Sequence, residues 1–171
     1  MDLMQTYYAV TDFLDQGGVI LYVIFAIAVL LWVLILERFL YIYLFSHKER
    51  ERLVSQWSQY REHVDANKIR ESFKYIYGQK LFINYSIIQV LVSIAPLLGL
   101  FGTVYGMIEI FDVIAQNGTG DAKAMANGIS LATLPTMSGM AVAITGLFFQ
   151  HKIKELADRK TVIFNERLKN L

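Results

Sequence analysis

VILYVIFAIAVLLWVLIL, residues 19–36, carries no charge. As an α-helix it rises about 27 Å, close to the thickness of a hydrocarbon layer, which predicts a membrane-spanning helix. The charge-free interval around it extends from Asp15 to Glu37, and two more such intervals follow, Lys80 to Glu109 and Lys123 to Lys152, the last holding His151 near its end. Both exceed what a bilayer requires, so the chain is read as three transmembrane helices. A composition that is 55% hydrophobic and 18% charged suits that reading better than one small soluble core.

Orientation follows from the basic residues. The first eighteen residues hold Asp2, Asp12 and Asp15 but no Lys or Arg, and the loop between spans two and three has Lys123 alone. The other basic residues are Arg38 and those in residues 46–80 or the tail, which puts the amino terminus outside and the middle segment and tail in the cytoplasm. The expected organisation is an outer interfacial helix (1–18), a first span (19–45), a cytoplasmic helical segment (46–80), a second span (81–114), an outer loop (115–123), a third span (124–150) and a cytoplasmic tail (151–171). The fold class is an all-α membrane protein whose helices extend into the cytoplasm. In residues 1–18, Leu3, Met4, Tyr7, Tyr8, Phe13 and Leu14 share a face suited to a membrane surface, and Gly17 and Gly18 end it. Acids in place of a basic n-region argue against a cleaved signal peptide. In the cytoplasmic segment Leu53, Val54, Trp57, Tyr60 and Val64 keep helical spacing, and a second helix is expected from Asp65 or Asn67 to Gly78. The stretch AQNGTGD reads as a turn.

APLLGLFGTVYGMIEIF, residues 95–111, is apolar yet holds three glycines, a proline and a threonine. Ala95, Gly99, Gly102 and Gly106 recur at intervals of three and four, a stripe along one helix face, and Pro96 predicts a kink. The third span repeats the pattern with Gly128, Ala132, Thr136, Gly139, Ala143 and Gly146, while Ser130, Thr133 and Ser138 add hydroxyls. Helices in lipid associate through small residues that let backbones approach. Two readings follow: the stripes pack spans two and three together, or they line an interior shared between copies of the chain that holds another helix.

Several function classes are excluded or weakened. The absence of cysteine removes disulfides and thiolate chemistry, and the net charge of +1 argues against a general nucleic-acid binder. His47, His63 and His151 show no ligand spacing, so no metal or other cofactor is expected. GLFGTVYG lacks the Lys and Ser or Thr of a phosphate loop. No nucleophile, base and orienting group converge, so the chain is not expected to be an enzyme. Glu109 and Asp112, at the outer end of span two, are placed where they could attract cations to an entrance, but as acids at an interface they read first as solvated groups. Tyr22, Trp32, Tyr41 and Tyr43 read as packing residues or interfacial anchors.

The stretch at 95–111, followed by GTGDAKAMANGISLATLPTMSGMAVAI at 118–144, closely resembles the TolQ/ExbB/MotA group of bacterial inner-membrane motor subunits. The paired glycines before span one and Glu37, Arg38 and Phe39 at its inner end are similar to that family too. Three spans with an outside amino terminus resemble the ExbB/TolQ branch. The resemblance implies a multi-pass protein of the bacterial inner membrane, with a periplasmic amino terminus and a cytoplasmic carboxy terminus. It implies a homo-oligomeric, pentameric ring around two copies of a single-span partner like ExbD or TolR, which carries an intramembrane aspartate. Proton or sodium flow would then drive work on a TonB- or TolA-like or other envelope load. Thr103 and Thr136 match the family's hydroxyl positions and, with Thr133, are the expected ion-path residues. Ala95, Pro96, Gly99, Gly102, Gly106, Gly128, Ala132, Gly139, Ala143 and Gly146 are the expected helix-packing or pore-lining positions. The pattern departs at Leu131, where the ExbB and TolQ branch has glutamate, at Pro135 inside the span, and at Thr145, where the family often has proline. No carboxylate is left within the three charge-free intervals, so the resemblance places the ion-carrying acid on the partner. A stator-like subunit of another branch, serving motility or surface transport and driven by sodium, and a non-conducting membrane scaffold are the alternative readings.

Overall fold

The computed structural model describes residues 3–58, 66–117 and 122–170. Among these are seven α-helices: α1 (Leu3–Gln16), α2 (Gly18–Leu40), α3 (Ser46–Ser58), α4 (Ala66–Phe82), α5 (Tyr85–Asn117), α6 (Ala122–Ala132) and α7 (Leu134–Asn170), with a π-helical segment, Tyr41–Phe45, joining α2 to α3. Three helical runs are long and apolar enough to cross a membrane: Gly18–Leu44, Asn67–Gln116 and Met125–Lys169. The outer loop expected over 115–123 is shorter at both ends, since α5 runs on to Asn117 and α6 begins at Ala122. The rest of the AQNGTGD turn, residues 118–121, lies outside the described residues, as do the helical spacing through Tyr60 and Val64 and His63.

Helix boundaries follow local chemistry at most joints. Gly18 has φ +64°, a left-handed value that glycine takes without strain, and it opens α2 directly after the turn from α1. The residue between α4 and α5 that takes such a value is Asn84, at φ 59°, and its carbonyl accepts from the Ile88 N–H at 3.2 Å to start α5. Gly78 does not end α4, contrary to expectation. The helix passes through it to Phe82 because Tyr77 and Leu81, one turn apart, are both buried, and that packing outweighs one interior glycine. A Cβ at Gly78 would find its nearest neighbour, the Thr161 methyl, at 4.0 Å. Gly78→Ala is therefore expected to stabilise the chain by about 0.4–1 kcal/mol, read as a raised thermal midpoint in detergent.

The third span is likewise not the single helix expected over 124–150. Pro135 has no N–H to offer the Leu131 carbonyl, and the ladder breaks at Thr133, whose N–H turns to the Ser130 carbonyl at 3.3 Å. Pro96, by contrast, sits inside the 33-residue α5 without dividing it.

The chain forms two compact units, Met1–Leu31 with Val90–Gly146, and Trp32–Gln89 with Leu147–Leu171. In the first unit Leu14, Leu21, Ile24, Leu31, Val92, Ala95, Ala132 and Ala143 are buried. The second has a core of larger side chains. There Trp57 meets Phe73 edge-on, with centroids 6.2 Å apart, and Tyr77 lies 4.5 Å from Phe164. Elsewhere the spans stay apolar on their exposed faces, as at Val33 and Leu36 in α2, Leu97 and Phe101 in α5, and Met137 and Ile144 in α7. Such surfaces suit lipid or neighbouring helices and not water.

Candidate ion-path site at the α5–α7 contact

Within the first unit the small residues of α5 and α7 meet each other. A Cβ on Gly139 would lie 2.5 Å from the Ala95 carbonyl oxygen and 3.1 Å from the Gly99 Cα, and one on Gly99 would lie 2.8 Å from the Pro135 carbonyl oxygen. These are backbone-to-backbone contacts. Gly102 faces the Pro135 ring and Ile20, Gly106 faces Ala132, Gly128 faces Ile110, and Gly146 faces Val92 and Leu31. Ala95, Ala132 and Ala143 are buried, and Pro96 is half-buried.

That close approach brings two hydroxyls together. Thr103 and Thr136, 33 residues apart, are hydrogen-bonded through their Oγ1 atoms. The Thr136 hydroxyl also lies 2.9 Å from the Gly99 carbonyl oxygen and that of Thr103 3.3 Å from the same oxygen. If Thr103 donates to Thr136 and Thr136 to Gly99, both protons are used and lone pairs on Thr103 remain for water or a cation. Both side chains are only half-buried. Thr133 is not part of the pair: its hydroxyl donates to its own Ser130 carbonyl at 2.7 Å. The site holds no titratable group, so it can relay or coordinate but cannot store a proton by ionising.

A second polar cluster, in the second unit, is one that sequence patterning does not reveal. Arg38 is 2% exposed. It donates from Nη1 to the Lys80 carbonyl at 3.1 Å and from Nη2 to Glu37 at 3.2 Å, and its guanidinium lies 5.0 Å from the centre of the Tyr41 ring. Asn84 Nδ2 donates to the other Glu37 oxygen at 3.4 Å, so Glu37 and Arg38 hold the α4–α5 joint from both sides. The Lys160 ammonium donates to the Ile42 carbonyl at 2.7 Å and to the Ser46 hydroxyl, fastening α7 to the π-helical segment. The signal available in sequence was a charged pair at the inner end of an apolar run, which ordinarily reads as an anchor.

Comparisons with known proteins agree with this architecture. The model of the MotA/TolQ/ExbB proton channel family matches residues 45–166, and the chain belongs to that family. Its named relatives lie in the ExbB branch. It is 40% identical over 75 residues to the biopolymer transport protein ExbB of Helicobacter pylori, covering 44% of this chain and 52% of the relative. A protein of Methanothermobacter thermautotrophicus, named as a biopolymer transport protein ExbB homolog, is 28% identical over 167 residues, covering 79% of this chain and 59% of its own length. Biopolymer transport protein ExbB-like 3 of Synechocystis is 31% identical over 84 residues, 48% of this chain and 40% of the relative. The chain thus spans about half the length of these relatives. Family and helices together make it a multi-pass membrane protein.

Proposed function

We propose that the chain is the channel-forming subunit of an ion-driven motor in the bacterial inner membrane, its amino terminus periplasmic and its carboxy terminus cytoplasmic. Copies of it assemble as a ring, five by family likeness, around two single-span helices of an ExbD- or TolR-like partner. It catalyses no reaction of its own. Ion flow moves ring and partner relative to one another, and the work reaches a TonB- or TolA-like envelope load. The observation that carries this reading is the Thr103–Thr136 pair on the Gly99 carbonyl, an oxygen-rich point between apolar helices of a proton-channel family member. An acid on the partner would supply the titratable group that Leu131 does not.

Thr136→Val is the direct test, since it nearly keeps the shape while removing the hydroxyl. The expected result is at least a tenfold fall in partner-dependent ion flux in liposomes, about 1.4 kcal/mol on the barrier, with complex size unchanged. Wild-type flux in that variant would remove Thr136 from the path. Neutral oxygens suit sodium as well as proton-bearing water, which sustains the sodium-driven alternative. Flux under a sodium gradient at equal pH would favour it over the proton. Absence of partner-dependent flux under either gradient would favour the scaffold.

A further inference from the structure

A cavity of about 700 Å³ lies in the first unit, walled by the α1–α2 turn, the carboxy-terminal half of α5, and α6. Four features point the same way. Asp15 and Glu109 are both exposed and both contribute to it, and none of its described lining residues is basic. The Tyr22 hydroxyl donates to Asp15 and holds that carboxylate in place. The wall also includes Leu131 and Pro135, the residues flanking the break between α6 and α7. Finally, Gly102 and Pro135 in the wall are the chain neighbours of Thr103 and Thr136.

The break decides what fills the space. Interrupted backbone at membrane depth is tolerated where protein or water satisfies it, not where it faces hydrocarbon. Here the Ser130 carbonyl is taken by the N–H and hydroxyl of Thr133, whereas the Leu131 carbonyl cannot be reached by the N–H that Pro135 lacks. A wet cavity with two acids and no basic residue in its described lining attracts cations and repels anions. We infer that this cavity is a water-filled, cation-selecting inlet within each copy of the chain, leading from Asp15 and Glu109 toward the threonine pair. The inference rests on the conducting role proposed above, and it names how a cation reaches the threonine pair before it meets the partner's acid.

The cysteine-free chain allows a clean test. Leu131→Cys and, as a second position, Ile110→Cys are introduced singly into the full chain in membrane vesicles, with Val113→Cys as a further cavity-wall reference. Each is exposed, from the side that carries the amino terminus, to trimethylammonium-ethyl and sulfonatoethyl methanethiosulfonate. The expected result is labelling of Leu131→Cys and Ile110→Cys about tenfold or more faster by the cationic reagent, with the preference lost when Asp15→Asn and Glu109→Gln are added. No labelling at either position while Val113→Cys reacts would mean a cavity closed or filled by lipid and would overturn the inlet. Equal rates with both reagents would overturn its selectivity. Partner-dependent flux is measured in parallel. Flux without labelling sinks the inlet alone, whereas labelling without flux sinks the conducting role on which it rests.

Discussion

Gly139→Leu is expected to yield no assembled protein, and Gly139→Ala to lower the thermal midpoint sharply. The smallest possible side chain already fails, because a Cβ at 139 would sit 2.5 Å from the Ala95 oxygen, 3.1 Å from the Gly99 Cα and 3.3 Å from the Ala95 carbonyl carbon. All three are backbone atoms, so no rotamer change relieves the clash, and α5 and α7 must separate. Overpacking of this kind costs roughly 1–3 kcal/mol for one methyl group, and leucine adds three more carbons at the same point. Lipid offers no hydrophobic gain to hold the helices while they adjust. Separation would also draw Thr136 from the Gly99 carbonyl, so any surviving Gly139→Ala protein should lose ion flux together with stability. Gly128→Ala is the informative comparison. Its Cβ would meet only the flexible Ile110 side chain, at 3.0 and 3.2 Å, which can give by a few tenths of an ångström. Fluorescence-detected size exclusion across a temperature series reads all three variants. A normal peak and midpoint for Gly139→Leu would contradict the backbone contact.

The two kinds of information in this sequence differ in reach. Three spans were legible because a charge inside hydrocarbon is costly, so its absence over such intervals is a strong local signal. The glycine stripes were legible as faces, since a period of three and four needs no knowledge of a partner. What each face touches was not legible, because Gly99 against Pro135 and Gly139 against Ala95 are relations between residues some 36 to 44 positions apart. The same limit applies to Thr103 and Thr136, which spacing alone could mark as polar but could not pair. Pro96 and Pro135 show how context overrides a residue rule. Both deny a hydrogen bond to the preceding turn, yet α5 runs on while the third span divides at Thr133, whose hydroxyl and N–H capture the Ser130 carbonyl. Gly78 fails as a stop for the opposite reason, since neighbouring Tyr77 and Leu81 are buried. A ring and a partner helix lie beyond any single chain, and only family likeness speaks for them.

Arg38→Met should cost about 1–3 kcal/mol, the usual penalty for a carbonyl away from water that loses its charged donor, because the Glu37 carboxylate left behind is itself 46% exposed. Read as an interfacial anchor, Arg38 would be dispensable, because a solvated cation at a helix end is worth a fraction of that. Its 2% exposure changes the expectation. Methionine fills similar volume but leaves the Lys80 carbonyl without its donor and Glu37 without its closest cation. Arg38→Lys should restore only part of the loss. An ammonium is a point charge and cannot address the Lys80 carbonyl, the Glu37 carboxylate and the Tyr41 ring from one plane. The damage should fall on the α4–α5 joint, where Asn84 keeps its left-handed conformation beside Glu37, and not on the α5–α7 contact. Limited proteolysis separates the two regions: Arg38→Met should expose new cleavage between Lys80 and Asn84 while fragments containing α6 and α7 stay protected. Cleavage and thermal midpoint matching the wild type would leave Arg38 no more than an interfacial cation. Loss confined to the joint would instead make the Glu37–Arg38 pair the clamp that fixes where the second apolar run bends into the membrane.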